Sequence, residues 1–174
     1  MLASSGIVSF WTFISRILGL ARDIVFTSLL GAGVALDTYV VITKIPNVFR
    51  RIFAEGAFNQ AFVPVLSEYK ENKTEGEVKN LINNVFGMLS SLILIITIII
   101  VFFAPFFILF FAPGFYVEPI KRELATDILR ITFPYLFFVS LVALSGSIMN
   151  TFGKFSIPAI TPVFYNLILV CFAL

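Results

Sequence analysis

The residues able to do chemistry in this sequence are cations placed where cations are expensive. The stretch FWTFISRILGLARDIVF, residues 10–26, carries Arg16, Arg22 and Asp23 inside an otherwise apolar run. One Arg or Asp at the centre of a membrane helix costs about 2.5–3.5 kcal/mol on insertion scales. A second charged set follows at Asp37, Lys44, Arg51 and Glu55, with Arg50 beside it. Asp23 can neutralise one arginine of the first set, so a basic surplus remains. A guanidinium offers two parallel N–H donors that match phosphate oxygens. These residue types suit a water-accessible cavity for an anionic head group.

Helical phase organises both sets. At about 100° per residue, Ser5, Ser9, Thr12, Arg16, Gly19, Asp23 and Thr27 form one polar stripe, with Ser15 and Arg22 on its flank. The rest of that helix is Ile, Leu, Val and Phe, so the stripe is expected to face a bundle interior or cavity. Asp37 and Lys44 are i, i+7, and Arg51 and Glu55 are i, i+4. All four share a face if Pro46 leaves the phase intact, and Arg50 lies off it. Simple pairing within helices is the competing structural reading for Asp37 with Lys44 and for Arg51 with Glu55.

The elements that carry these charges are membrane helices. The chain has 174 residues, 59% hydrophobic and 13% charged, with 22 Phe. Mean hydropathy is +1.02. So few charges cannot cover the surface of a soluble domain of this length. Spans of about 20 apolar residues are expected at 6–30, 35–65, 80–111, 122–150 and 157–174. Pro46 is the expected kink of the second span. The aqueous stretch LSEYKENKTEGEVK, 66–79, is expected to be a cytoplasmic loop. APGFYVEPI at 112–120 and TFGKFSIP at 151–158 are the other connections. The fold class is all-α, a polytopic membrane bundle. The last span still runs at Leu174, which reads as part of a longer protein.

Composition also excludes functions. There is no His, and Cys171 is the single Cys. A Ser-His-Asp triad, a zinc centre and an internal disulfide are therefore not expected. No GxxxxGK[ST] or GxGxxG run occurs, so no nucleotide cofactor is expected. A net charge of +2 gives no nucleic-acid footprint. The N-terminal segment lacks a basic n-region and reads as a retained helix. Loops 66–79 and 151–158 hold Lys70, Lys73, Lys79 and Lys154, against Lys121 and Arg122 on the other side. That bias favours a cytoplasmic N-terminus.

Longer motifs carry a family resemblance. SRILGLARD at 15–23, DTYVVITKIPN at 37–47, RRIFAEGAFNQAFVPVLSEYK at 50–70, LRITFPY at 129–135 and NTFGKFSIPAITP at 150–162 strongly resemble the MurJ/MviN family of bacterial lipid II flippases. The resemblance implies an all-helical transporter of two six-helix lobes plus a C-terminal helix pair. This chain would cover about five helices of the N-terminal lobe. It implies translocation of lipid II, the undecaprenyl-diphosphate-linked peptidoglycan precursor, across the bacterial cytoplasmic membrane by alternating access. The protein would then be a transporter and not an enzyme. The implied partners are lipid II, membrane lipids and a C-terminal lobe of the same protein.

Family cavity arginines correspond to Arg16, Arg22 and Arg50, a cavity aspartate to Asp23, and another functional aspartate to Asp37. The resemblance places Arg50 in the cavity, which a kink at Pro46 would permit. With no ATP motif, membrane potential or a coupled ion is the expected driving force. The alternatives are another lipid-linked oligosaccharide or drug exporter of the same superfamily, a non-transporting scaffold, or an inactive lobe.

Overall fold

The computed structural model describes residues 2–31, 33–55 and 57–173; the side chains of 2–5, 7, 54, 55, 57–59 and 173 lie outside that description. The described residues form helices joined by short turns. In chain order these are α1 (Leu2–Leu30), α2 (Val34–Ile42), α3 (Lys44–Arg50), a π-helical turn (Arg51–Glu55), α4 (Ala57–Asn72), α5 (Glu75–Phe102), α6 (Ala104–Phe111), α7 (Pro113–Tyr116), α8 (Pro119–Thr132), α9 (Tyr135–Thr151) and α10 (Ser156–Ala173). Two helical stretches, Glu75–Phe102 and Pro119–Thr151, are long and apolar enough to cross a bilayer.

The second expected span bends near Pro46: α2 lapses for one residue at Thr43, whose φ −67 and ψ −15 stay α-helical, and the chain continues through α3, the π turn and α4. Pro46 has no N–H for the carbonyl four residues back, so the α ladder cannot run unbroken across this point. The Asn47 N–H to Thr43 carbonyl bond is long, 3.4 Å. The π turn then adds a wider ring, which rotates everything after it. The fourth span bends, with α8 ending just before Phe133–Pro134 and α9 starting at Tyr135.

The stretch 66–79 is helical apart from the turn at Lys73–Thr74, so it is two helix ends and not a loop. Local chemistry sets this turn. The Thr74 hydroxyl accepts from the Glu77 N–H at 3.4 Å, and the Glu77 carboxylate accepts from the Thr74 N–H at 3.0 Å. This capping box satisfies orphan donors at the start of α5. Close to this turn, Gly153 ends α9 at φ +76, and its N–H reaches the Asn150 carbonyl at 3.0 Å. A left-handed φ at a helix end suits glycine because there is no Cβ to clash.

Two layers result. The buried apolar core is drawn from α2 through α9: Ile42, Leu66, Ile93, Ile108, Phe133 and Leu144 are at its centre. Among the described residues, no apolar side chain of α1 or α10 joins that buried set. Instead α1 packs lengthwise on α10, and this pair leans against the rest. One point of contact is Gly146 on α9, where Pro158 of α10 comes within 3.4 Å of the space a Cβ would take. Two ring contacts also cross between the layers, Phe26 with Tyr39 and Tyr135 with Tyr165.

Candidate functional site

The face α1 turns to α10 runs through Trp11, Ser15, Leu18, Gly19, Arg22 and Val25, all half-buried. Arg16, Asp23 and Thr27 are exposed. The flank of the polar stripe is thus the packed face, and its centre is the open one. Two stripe hydroxyls turn inward on their own helix: Thr12 donates to the Val8 carbonyl at 2.8 Å and Thr27 to the Asp23 carbonyl at 2.7 Å. The remaining charges on the open side are Arg16 and Asp23.

Arg22 is held from two directions. Its Nε and Nη2 both donate to Asp23 Oδ1, at 3.0 and 2.7 Å. Its Nη1 donates to Asn166 Oδ1 on α10 at 3.1 Å. Asn166 is buried, and its amide donates in turn to the Ser15 carbonyl at 3.1 Å and the Ser15 hydroxyl at 3.3 Å. Asn166 therefore bridges two turns of α1 and fixes the guanidinium plane. Gly19 makes room for this, since the Asn166 amide nitrogen lies 3.7 Å from where its Cβ would stand. The Arg22 side chain keeps 29% of its surface open. It is positioned but still reachable.

The second arginine approaches from α3. Arg50 Nε donates to Asn47 Oδ1 at 3.4 Å. Arg50 is half-buried on α3, past the bend near Pro46. Tyr135 of α9 packs on Tyr165 of α10 with ring centroids 5.7 Å apart. Tyr39 of α2 stacks on Phe26 of α1 at 5.9 Å. These ring contacts tie α9 and α2 to the α1–α10 pair that holds Arg22.

The other charges chosen from the sequence lie apart. Asp37, Lys44 and Arg51 are exposed, and among the described residues no ion pair or side-chain hydrogen bond joins them. The structural pairing of Asp37 with Lys44 is therefore not formed. The Glu55 side chain lies outside the described residues, so its pairing with Arg51 does too. Elsewhere two pairs form: Lys121 with Glu118 at 2.9 Å and Arg130 with Asp127 at 3.9 Å. Asn166 makes its interhelical bonds, whereas Asn150 is exposed.

Sequence reasoning did not single out Tyr39, Tyr135 or Tyr165. Tyrosine at a membrane depth is common as an interfacial or packing residue, so its type alone carries no signal. A helix-by-helix pairing of the polar positions with Asn166 could have found Tyr165 one residue away.

Helices with apolar outer faces, and an arginine held where two of them pack, define a polytopic membrane helix bundle. The comparisons narrow this class. The family model described as Lipid II flippase MurJ matches residues 26–174. The chain belongs to the MurJ lipid II flippase family. A probable lipid II flippase MurJ of Buchnera aphidicola (subsp. Acyrthosiphon pisum, strain APS) is 46% identical over 166 residues, 95% of this chain and 32% of that protein. One from Vibrio cholerae is 45% identical over 177 residues, 98% of this chain and 34% of that protein. A solved structure named lipid II flippase MurJ, inward closed conformation, superposes with a TM-score of 0.78 at 37% identity; the match covers 95% of this chain and 35% of that one. The chain thus spans about a third of the length of the curated relatives it matches.

Proposed function

We propose that this chain forms one wall of the cavity through which a lipid II flippase carries its substrate from the inner to the outer leaflet of the bacterial cytoplasmic membrane. The protein would work by alternating access, as a transporter and not a catalyst. The observation that carries this reading is the clamped Arg22, held by Asp23 and Asn166 and still partly open. Arg22 and Arg50 would hold the substrate diphosphate, and Asp23 orients Arg22. Arg16, exposed on the same helix, would meet the anion as it enters or leaves. Asp37, Lys44, Arg51 and Glu55 would act further along the cavity or at its gate. The second wall would come from a C-terminal lobe of the same protein, with membrane lipids around both.

The driving force follows from charge. An anion leaving an inside-negative cell gains about 2.3 kcal/mol per charge per 100 mV. Membrane potential, or an ion coupled to it, would therefore suffice without nucleotide hydrolysis. The lysines of 66–79 and 151–158 support a cytoplasmic N-terminus. Similarity at 35–46% to proteins named as lipid II flippases supports lipid II over another lipid-linked oligosaccharide or a drug.

The test replaces Arg22 or Arg16 by Ala in the full-length protein, as the only flippase of the cell. Loss of growth and of lipid II translocation is expected, with the protein still in the membrane. Arg22→Lys is expected to fail as well, because an ammonium cannot bond Asp23 and Asn166 as a fork does. Normal growth of the Arg22→Ala cells would overturn the assignment.

A further inference from the structure

A second basic site lies away from the arginine patch, where α4 and α5 leave the apolar bundle. A pocket of about 430 Å³ opens between the Lys73–Thr74 turn and the end of α9. Lys70, Lys73 and Lys79 surround it, and its floor is Val78, Ile82 and Phe152. We propose that this pocket binds the phosphate of an anionic membrane phospholipid, with the lysines on the phosphate and the apolar floor against the upper acyl chain.

Charge balance supports an anion. Three lysines line the pocket against one acid, Glu75. Glu77 faces Lys73 through Oε1 at 4.0 Å, while its Oε2 is engaged by the Thr74 N–H and hydroxyl at 3.0 and 2.9 Å; counting it, the three lysines still outnumber the acids. Lys79 makes no ion pair or side-chain hydrogen bond among the described residues. Lys70 spends one donor on the Thr151 carbonyl at 2.9 Å and sits 5.1 Å from the Phe152 ring centroid. An ammonium has three donors, so two remain for a ligand. The bond to Thr151 also anchors the pocket across two helices distant in sequence.

Depth supports a lipid over a soluble anion. After Lys79, the next charged residue is Glu118. Lys79 is therefore the last charge before α5 enters hydrocarbon, and the pocket lies at head-group level. Val78 is buried, Ile82 half-buried and Phe152 exposed, which leaves an apolar wall beside the lysines. A soluble phosphate has no use for that wall, whereas a phospholipid has a chain to place on it. Basic pockets between membrane helices bind phospholipid head groups for this reason. The proposal rests on membrane embedding and not on flipping, so lipid retention and translocation can fail separately.

The experiment uses the full-length protein in neutral detergent, titrated with phosphatidylglycerol and followed by native mass spectrometry. A photoreactive phosphatidylglycerol maps the contact. Cross-links are expected within 70–82 and at Phe152. One lysine near a lipid phosphate is worth about fivefold in affinity. The triple variant K70Q/K73Q/K79Q should therefore bind about a hundredfold more weakly. K70R/K73R/K79R, which keeps the charge, should bind as the parent does. Lys79→Gln alone, which breaks no bond in the fold, should lose about fivefold, and it decides the matter if the triple variant misfolds. Unchanged binding in Lys79→Gln and the triple variant, or cross-links confined elsewhere, would overturn the site. Displacement of the lipid by millimolar inorganic phosphate would replace the lipid with a soluble anion.

Discussion

Asn166→Leu removes the clamp on Arg22 with little change of shape. Asn166 accepts one bond from Arg22 Nη1 and donates two to Ser15. Interhelical hydrogen bonds of side chains in membranes average about 0.6 kcal/mol each. Three of them come to about 2 kcal/mol, part of it from the charged bond, which is the stronger kind. Leucine fills nearly the same volume, so packing of α1 on α10 should hold. Arg22 would then keep only its bonds to Asp23 and swing toward that exposed carboxylate. If the whole loss falls on the positioning of Arg22, lipid II binds about thirtyfold more weakly, at about 1.4 kcal/mol per decade.

Asn166→Asp gives the contrast. It keeps an acceptor for Arg22 Nη1 and gives up the donations to Ser15, so it should retain more affinity than the leucine variant. The assay is lipid II binding to the reconstituted full-length protein, with the thermal midpoint followed in parallel. Binding of the leucine variant within about twofold of the parent would refute the clamp. Equal damage in the leucine and aspartate variants would assign Asn166 to α1–α10 packing alone.

Two further predictions concern helix ends. Thr74→Ala should remove the cap of α5 and cost about 1 kcal/mol. Faster amide exchange over the first turn of α5, with translocation unchanged, is the expected reading; unchanged exchange would mean the capping box is idle. Gly153→Ala places a Cβ at φ +76 and should cost about 1 kcal/mol. A fall in the thermal midpoint of the reconstituted protein checks it, and an unchanged midpoint would show that the α9 end relaxes freely.

Much of this molecule is decided by short-range chemistry, and that part was legible in the sequence. Composition selects the solvent: a chain 59% hydrophobic and 13% charged must fold in lipid as helices, which satisfy their own backbone. The bends at Pro134 and near Pro46 follow from a missing N–H. The stretch 66–79 reads as a loop in the sequence because it is polar. Polarity reports solvent, not backbone conformation, and Thr74 and Glu77 cap a helix there.

The site divides in the same way. That Arg16, Arg22 and Asp23 need a polar environment follows from the cost of a charge in hydrocarbon. Phase analysis orders them around their own helix axis, but it carries no information about which neighbour stands at which angle. Only the packing of α1 on α10 makes Arg22 the clamped residue and leaves Arg16 open. Only the packing of α3 in the bundle leaves Arg50 half-buried while Arg51 beside it is exposed. The sequence by itself determined a membrane bundle with charges that require a cavity. The tertiary structure decided which of those charges share it, because convergence depends on the relative placement of helices distant in the chain.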